Sequence, residues 1–440
     1  MTDSVADGMD GNIGVLGGGI SGLTFANLVG RAEVLEKEWT AGGLMRSVKE
    51  DGYTFDLGSH ILFSRNKETL DFMLGLLGQN VITHRRNTKI FYKGIKVKYP
   101  FENGLGDLPK EEAMGCFNDY KTAYEKREKG ELKAPQNFKE WMRYRFGKGI
   151  TEKYLYPYNR KIWDYPPEKM DIFWVEGRVP QPPLDDVRKA AMGEESEGYT
   201  HQLNFHYPAK GGIQAVTDAL AVKVGKRLKT GFEVKKVRRE GAKWVVVGPE
   251  TRVYDRLVTT MHINDFVRLY DGVPKEVREA AGKLKWNSIH LVMLGLGKAK
   301  LNDIHWAYIP DSDILPNRIS FPSNFSPNAA PPGYSSVLAE TTFAPGGEKA
   351  WMKPDEIVER TVEGLHRIGV LGRKDVSFTK LVTCRYAYVV YDLDYQENMK
   401  VIEAFAKTEG ITLLGRFSEF RYYNSDRCIE SAMEKAKLFY

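Results

Sequence analysis

Ile13-Gly14-Val15-Leu16-Gly17-Gly18-Gly19-Ile20-Ser21-Gly22-Leu23, with Val34-Leu35-Glu36 and Gly42-Gly43-Leu44 close behind, decides how the rest of the chain is read. The short apolar run has the character of a buried parallel strand. Gly17-x-Gly19-x-x-Gly22 then lets the backbone turn tightly and present a helix N-terminus to a pyrophosphate. Residues 23–29 are helix-like, and Gly30 ends them as a C-cap. Glu36 closes a second apolar strand, where its carboxylate can accept hydrogen bonds from ribose hydroxyls. It arrives earlier than the roughly 20 residues expected after the glycines, because the helix and return loop are short. Strand, glycines, helix, acid and second glycine pair in this order predict a bound dinucleotide, with Gly17, Gly19, Ser21, Gly22, Glu36, Gly43 and Leu44 against it.

The chain has 440 residues, 42% hydrophobic and 28% charged, enough for two or three cores and without fibrous or disordered bias. Its net charge of +6 is small and spread out, which argues against a nucleic-acid partner. Cys116, Cys384 and Cys428 are few, far apart and odd in number, which fits a reducing compartment and gives neither a metal-ligand spacing nor a disulfide framework. Residues 1–12 are polar and acidic with no basic-then-apolar signal, and no run approaches the roughly 18 apolar residues that span a bilayer. A cytoplasmic, soluble protein with no metal and no membrane contact is expected; an oligomer is open.

Gly52-Tyr53-Thr54-Phe55-Asp56-Leu57-Gly58-Ser59-His60 alternates as a strand and ends at a glycine-flanked Ser59-His60 beside the cofactor segment. Residues 89–99 read as a hairpin turning at Tyr92-Lys93-Gly94-Ile95. From Leu108 the period becomes helical, with Pro109, Glu111 and Glu112 at the start and Phe117, Tyr120 and Tyr124 on one face. The aromatic density from Tyr154 to Trp163, and from Trp174 to Pro180, suits a stacked base or sugar, with a packed core as the alternative. A helix over 213–220 follows Gly211-Gly212. Strands are expected over 231–238, 244–247, 254–261, 288–296, 306–310, 318–321, 334–342, 382–391 and 411–416, and a closing helix over 425–439.

These features resemble the flavin amine oxidase superfamily and, within it, the UDP-galactopyranose mutase family, closer to its eukaryotic type. The likeness runs over nearly the whole chain. It rests on Gly58-Ser59-His60-Ile61-Leu62-Phe63-Ser64, Tyr99-Pro100-Phe101, Pro157-Tyr158-Asn159-x-Lys161-Ile162-Trp163, Gly177-Arg178-Val179 and Pro208-Ala209-x-Gly211-Gly212. Arg318 with Ser323-Asn324-Phe325-Ser326-Pro327, and Gly415-Arg416-Phe417 with Arg421-Tyr422, complete it.

The resemblance implies FAD, active when reduced, with NAD(P)H as a candidate reductant and Ser59, His60, Gly415 and Arg416 joining the cofactor set. It implies an isomerase, an intramolecular transferase in which reduced flavin N5 attacks the anomeric carbon of UDP-galactopyranose, UDP leaves and returns, and the ring closes as the galactofuranose. Arg178 and Arg318 match the diphosphate arginines and, with His60 beside flavin N5 and O4, form the catalytic set; His60 could answer flavin reduction with a change of charge. Tyr308, Tyr388 and Tyr422 match phosphate-binding tyrosines. Tyr158, Asn159 and Trp163 match the nucleotide and sugar wall, Tyr99 and Phe101 lie beside the base with Glu102, and Asn324 belongs to the substrate set. Three positions depart from the family: Phe325 where a tyrosine is expected, Val389 for a proline, and Glu102 for a glutamine, which leaves the sugar and base open.

The fold class expected is α/β plus α+β: a Rossmann-like FAD-binding domain with an inserted helical domain and an antiparallel β-sheet domain. The FAD-binding domain is expected over 1–75, 201–265 and 406–440, the sheet domain over 76–104 and 266–405, and the helical domain over 105–200. The rival readings are an FAD-dependent oxidoreductase of the amine oxidase or desaturase type, and a flavin protein without catalysis.

Overall fold

The computed structural model describes residues 11–175, 178–179, 181–194 and 203–440; Glu176, Gly177 and Pro180 of the second aromatic stretch, and residues 1–10, lie outside them. A five-stranded sheet runs Ile411–Leu413, Arg256–Thr259, Ile13–Leu16, Ala32–Leu35, Leu228–Lys229. Every pair in it is parallel. Ile13–Leu16 is buried along its length near the middle of that sheet, as a continuous apolar run requires when both faces are covered. The helix Ile20–Val29 follows at once, and Gly30, in the left-handed region, ends it with its N–H on Ala26 O. That helix shares a core with the far end of the chain, where Cys428, Ile429 and Ala432 of the helix Ser425–Ala436 pack beside Phe25.

The expected strand over 231–238 begins only at Lys236, where it joins a three-stranded antiparallel sheet with Lys243–Val247 and Thr251–Tyr254. Residues 231 and 232 are diverted to another task. Gly231, with φ of 69°, donates to Glu38 O, and Phe232 donates to Glu36 O, so this link closes over the loop after the second parallel strand.

A seven-stranded sheet runs Val376–Val390, Lys285–Leu296, Ser335–Phe343, Arg318–Ser320, Trp306–Tyr308, Thr88–Tyr92, Ile95–Lys98. It is antiparallel except where Trp306–Tyr308 lies parallel to Thr88–Tyr92. Between the two passes of chain through this sheet come the helices Lys110–Glu128, Phe138–Ile150, Tyr156–Trp163 and Leu184–Ala191. Phe117, Trp141, Phe146 and Trp163 join Tyr92, Phe101 and Leu291 of the sheet side in one core. No helix among the described residues is long and apolar enough to cross a membrane.

Candidate active site

A cavity of about 1640 Å³ opens along the ends of the parallel strands and continues to the seven-stranded sheet. That exceeds the roughly 300–1,000 Å³ that holds one drug-sized ligand, so a dinucleotide and a second ligand fit together. At one end the glycine turn shapes it. A Cβ on Gly22 would lie 2.1 Å from Gly17 O, so glycine is needed there for the turn to close. A Cβ on Gly19 would meet only Gly43 Cα, at 3.9 Å; the space above it is the cavity itself. The helix that starts at Ile20 has no side-chain cap and no acid in its first turn, so its first N–H groups are left to a ligand. Glu36 is buried and accepts from Gly18 N (2.7 Å) and Glu38 N (2.9 Å). Ser21, Gly43, Leu44 and Gly415 line the same end. This donor-rich, side-chain-free cradle fits a dinucleotide pyrophosphate.

Towards the larger sheet, Ser59, His60 and Arg318 come together around a residue the sequence did not single out. Glu340 is fully buried in Ser335–Phe343. One of its oxygens accepts Arg318 Nε (3.0 Å) and Nη2 (2.6 Å). The other accepts Ser59 N (2.9 Å) and the Ser59 hydroxyl. The one mark of Glu340 in the sequence is that it is the sole charged residue of Ser335–Phe343, which does not show its partners. Arg318 Nη2 also reaches the Tyr388 hydroxyl at 3.3 Å.

His60 Nδ1 lies 3.1 Å from Gly58 O, so Nδ1 carries the proton and Nε2 keeps its lone pair. Burial first, and the guanidinium of Arg318 second, bring His60 down to about 4. The imidazole is therefore neutral near pH 7, and the charged form allowed for from the sequence is disfavoured here.

Tyr308, Tyr388 and Tyr422 line the cavity beside these groups. Burial pushes Tyr308 and Tyr388 up, so both stay protonated donors. Arg178 is exposed, lies 4.2 Å above the Tyr422 ring and donates to Tyr422 O at 2.5 Å. Arg416 holds Tyr423 O (3.0 Å) and Ala387 O (2.5 Å), packs over Tyr388 and Tyr422, and keeps a buried Nε with no protein partner. Arg86, also missed in the sequence, lines the cavity over the Tyr99 ring at 5.4 Å. Among the described residues no carboxylate pairs with Arg86 or Arg178. Glu102 lines the cavity at 4% exposure, not in solvent as a surface glutamate would be.

Other expected residues stand outside the lining. Phe101 is fully buried and stacks on Tyr154 at 5.0 Å. Tyr158 packs edge-on to Tyr308 at 5.2 Å. Asn159 accepts Trp163 Nε1 at 3.1 Å, and the Trp163 ring meets Tyr388 and Tyr422 edge-on, so both support the tyrosines from behind. Asn324 donates to Ile304 O (2.7 Å) and Asn302 O (3.0 Å). Phe325, the departure from the family tyrosine, is buried against Phe205 and Tyr207 away from the cavity.

A glycine cradle for a dinucleotide, opening onto a second chamber lined by arginines and tyrosines, defines a flavin-dependent enzyme fold, and the chain belongs to the flavin-containing amine oxidoreductase family, whose model matches residues 20–437. The fold is similar to that of reduced UDP-galactopyranose mutase, with a TM-score of 0.89 at 23% identity over 97% of this chain and 95% of that one. It is also similar to a putative protoporphyrinogen oxidase from Exiguobacterium sp. 255-15, with a TM-score of 0.76 at 16% identity over 98% and 99%. A wild-type putrescine oxidase bound to putrescine gives a TM-score of 0.65 at 14% identity over 97% and 98%.

Proposed function

We propose that this chain is a flavin-dependent nucleotide-sugar mutase that interconverts pyranose and furanose rings, with UDP-galactopyranose to UDP-galactofuranose as the default substrate pair. The observation that carries the reading is the gathering of Arg178, Arg318 and Arg86 with the phenols of Tyr308, Tyr388 and Tyr422 in one chamber. Fixed guanidinium forks and neutral hydroxyl donors suit a diphosphate, whose charge grows as it departs. An ammonium substrate, as an amine oxidase would take, meets repulsion there. Reduced FAD, bound along the glycine cradle, would supply the nucleophile for the anomeric carbon.

The chain's own residues do the rest. Arg318, locked by Glu340 and Tyr388, holds the diphosphate before and after its bond breaks, so no reorganisation is needed as charge develops. Arg178, on the exposed side over Tyr422, supplies the second fork. His60 offers a neutral Nε2 that accepts a proton or a hydrogen bond from a sugar hydroxyl or the cofactor edge. Tyr158 and Trp163 keep the tyrosines in place.

The test is product analysis with a panel of nucleotide sugars, anaerobically, with the protein reduced by dithionite or NAD(P)H. Isomerisation without net use of reductant is expected, and the oxidised protein should be inert. Equal activity when oxidised, or oxidation of an amine with oxygen uptake, would replace this reading with the oxidoreductase one.

A further inference from the structure

Lys161 stands half-buried on the helix Tyr156–Trp163, and its ammonium donates to the backbone carbonyls of Ile309 (2.9 Å), Asp311 (2.8 Å) and Pro316 (2.8 Å). An ammonium has three donors, and all of them are engaged. The carbonyls belong to the loop 309–317, which joins the Trp306–Tyr308 strand to the Arg318–Ser320 strand, and those strands pair with Tyr308 opposite Arg318. Both ends of the arrangement are anchored. Asn287 Nδ2 donates to Ile162 O (3.0 Å) and Trp163 O (2.9 Å), Thr342 Oγ1 donates to Ile162 O (2.6 Å), and Asn317 N donates to Glu340 O (2.9 Å). The lysine does not line the cavity, yet it fixes the loop between two residues that do.

We propose that Lys161 is a positioning residue: its charged ammonium gathers the loop 309–317 and so sets the spacing of Tyr308 and Arg318, making diphosphate binding depend on a lysine outside the chamber. The inference rests on the nucleotide-sugar reading above. Three converging, partly buried carbonyls without the ammonium would repel one another and lack donors, and the loop would spread. Burial first, and Lys349 second, bring Lys161 down to about 7, against the pull of Asp311 and Asp313. The other charges facing it are already engaged: Lys349 with Asp164 (3.0 Å), Asp313 with Arg367 (2.7 Å), while Asp311 accepts Lys93 N (3.2 Å). Neutral Lys161 keeps two N–H donors for three carbonyls, so the site is tightest below about pH 7 and loosens as the pH rises.

The experiment is calorimetric titration of the oxidised holoprotein with UDP-galactose, which keeps one charge state between about pH 6 and pH 8.5. His60, at about 4, and the raised Tyr308 and Tyr388 titrate outside that window. Wild-type affinity should fall about threefold to tenfold across it, the loss of one hydrogen bond of ordinary worth. Lys161→Met should bind about tenfold more weakly with a flat profile and unchanged flavin content, and Lys161→Arg, which keeps the charge, should recover part of the loss. On an Arg318→Ala background Lys161→Met should add little. A flat wild-type profile, or a Lys161→Met protein that binds and titrates like wild type, overturns the positioning role alone. If Lys161→Met does not fold, the wild-type profile decides. A wild type that binds neither UDP-galactose nor inorganic pyrophosphate overturns the nucleotide-sugar reading and this inference with it.

Discussion

Glu340 divides its two oxygens between Arg318 and Ser59 at full burial, and removing one partner of such a pair leaves an uncompensated charge that costs about 3–5 kcal/mol. Glu340→Gln and Arg318→Met should each lower holoprotein stability in urea by about that amount, and the double variant by clearly less than their sum. Strictly additive losses would show that the two do not act as a pair. Arg318→Ala should also reduce turnover by about 10²–10³, the usual effect of removing one preorganised donor to developing charge, with flavin content unchanged. Glu102 bears on the base. An ionised carboxylate only accepts, so it opposes uracil O4 but suits the N1–H and N2–H₂ edge of guanine or the amino group of cytosine. Competition among UDP, GDP and CDP, repeated with Glu102→Gln, decides whether Glu102 reads the base: GDP or CDP best in the wild type with a shift towards UDP in Glu102→Gln would replace the default UDP sugar, whereas UDP best in both removes Glu102 from base reading and keeps that default. Arg318 was legible in the sequence through its resemblance to known arginines. Glu340 and Arg86 were not, because their meaning lies in partners such as Ser59, which is 281 positions from Glu340 in the chain.

The turn between the first strand and its helix separates two kinds of glycine. Gly19→Val puts its side chain into open cavity and should give a folded but colourless protein, whereas Gly22→Ala forces a Cβ to 2.1 Å from Gly17 O and should lower the melting temperature of the protein itself. Flavin absorbance and thermal unfolding measured on both variants check this; a yellow Gly19→Val protein would move the cofactor elsewhere. This turn could be read from the sequence because its signals are local: apolar run, glycine spacing, acid. The start of the 236–240 strand could not, since Gly231 and Phe232 are claimed by Glu38 and Glu36 across the fold. Nor could the parallel pairing of Trp306–Tyr308 with Thr88–Tyr92, where each strand's alternation is satisfied by either direction of its neighbour.

Across the whole molecule, neutral buried histidines weaken the fold in acid, against the smaller opposing contribution of Asp56, which burial raises to about 6. His60, His262 and His305 are brought down to about 4, 3 and 4, in each case chiefly by burial. Unfolded, each takes a proton near pH 6.5, so below that pH the unfolded chain binds more protons and stability falls with pH. The stabilising contribution is complete above about pH 6.5 and is lost progressively as the pH drops towards 4. Urea unfolding at neutral pH and at about pH 5 should show a lower midpoint in acid, and His305→Gln should reduce the difference; identical midpoints would mean that these histidines are free to ionise in the fold.

The parallel sheet takes one neighbouring pair of strands, Ile13–Leu16 and Ala32–Leu35, from the start of the chain and its last, Ile411–Leu413, from near the other end, with Gly415 and Arg416 lining the cofactor cavity directly after it. Made on a ribosome, the glycine cradle emerges before residues 411–416 and must wait for them to be translated before its far wall exists. Nascent chains arrested before residue 411 should therefore retain no flavin, and the colour of this protein is a property acquired only once residues 411–416 have been made.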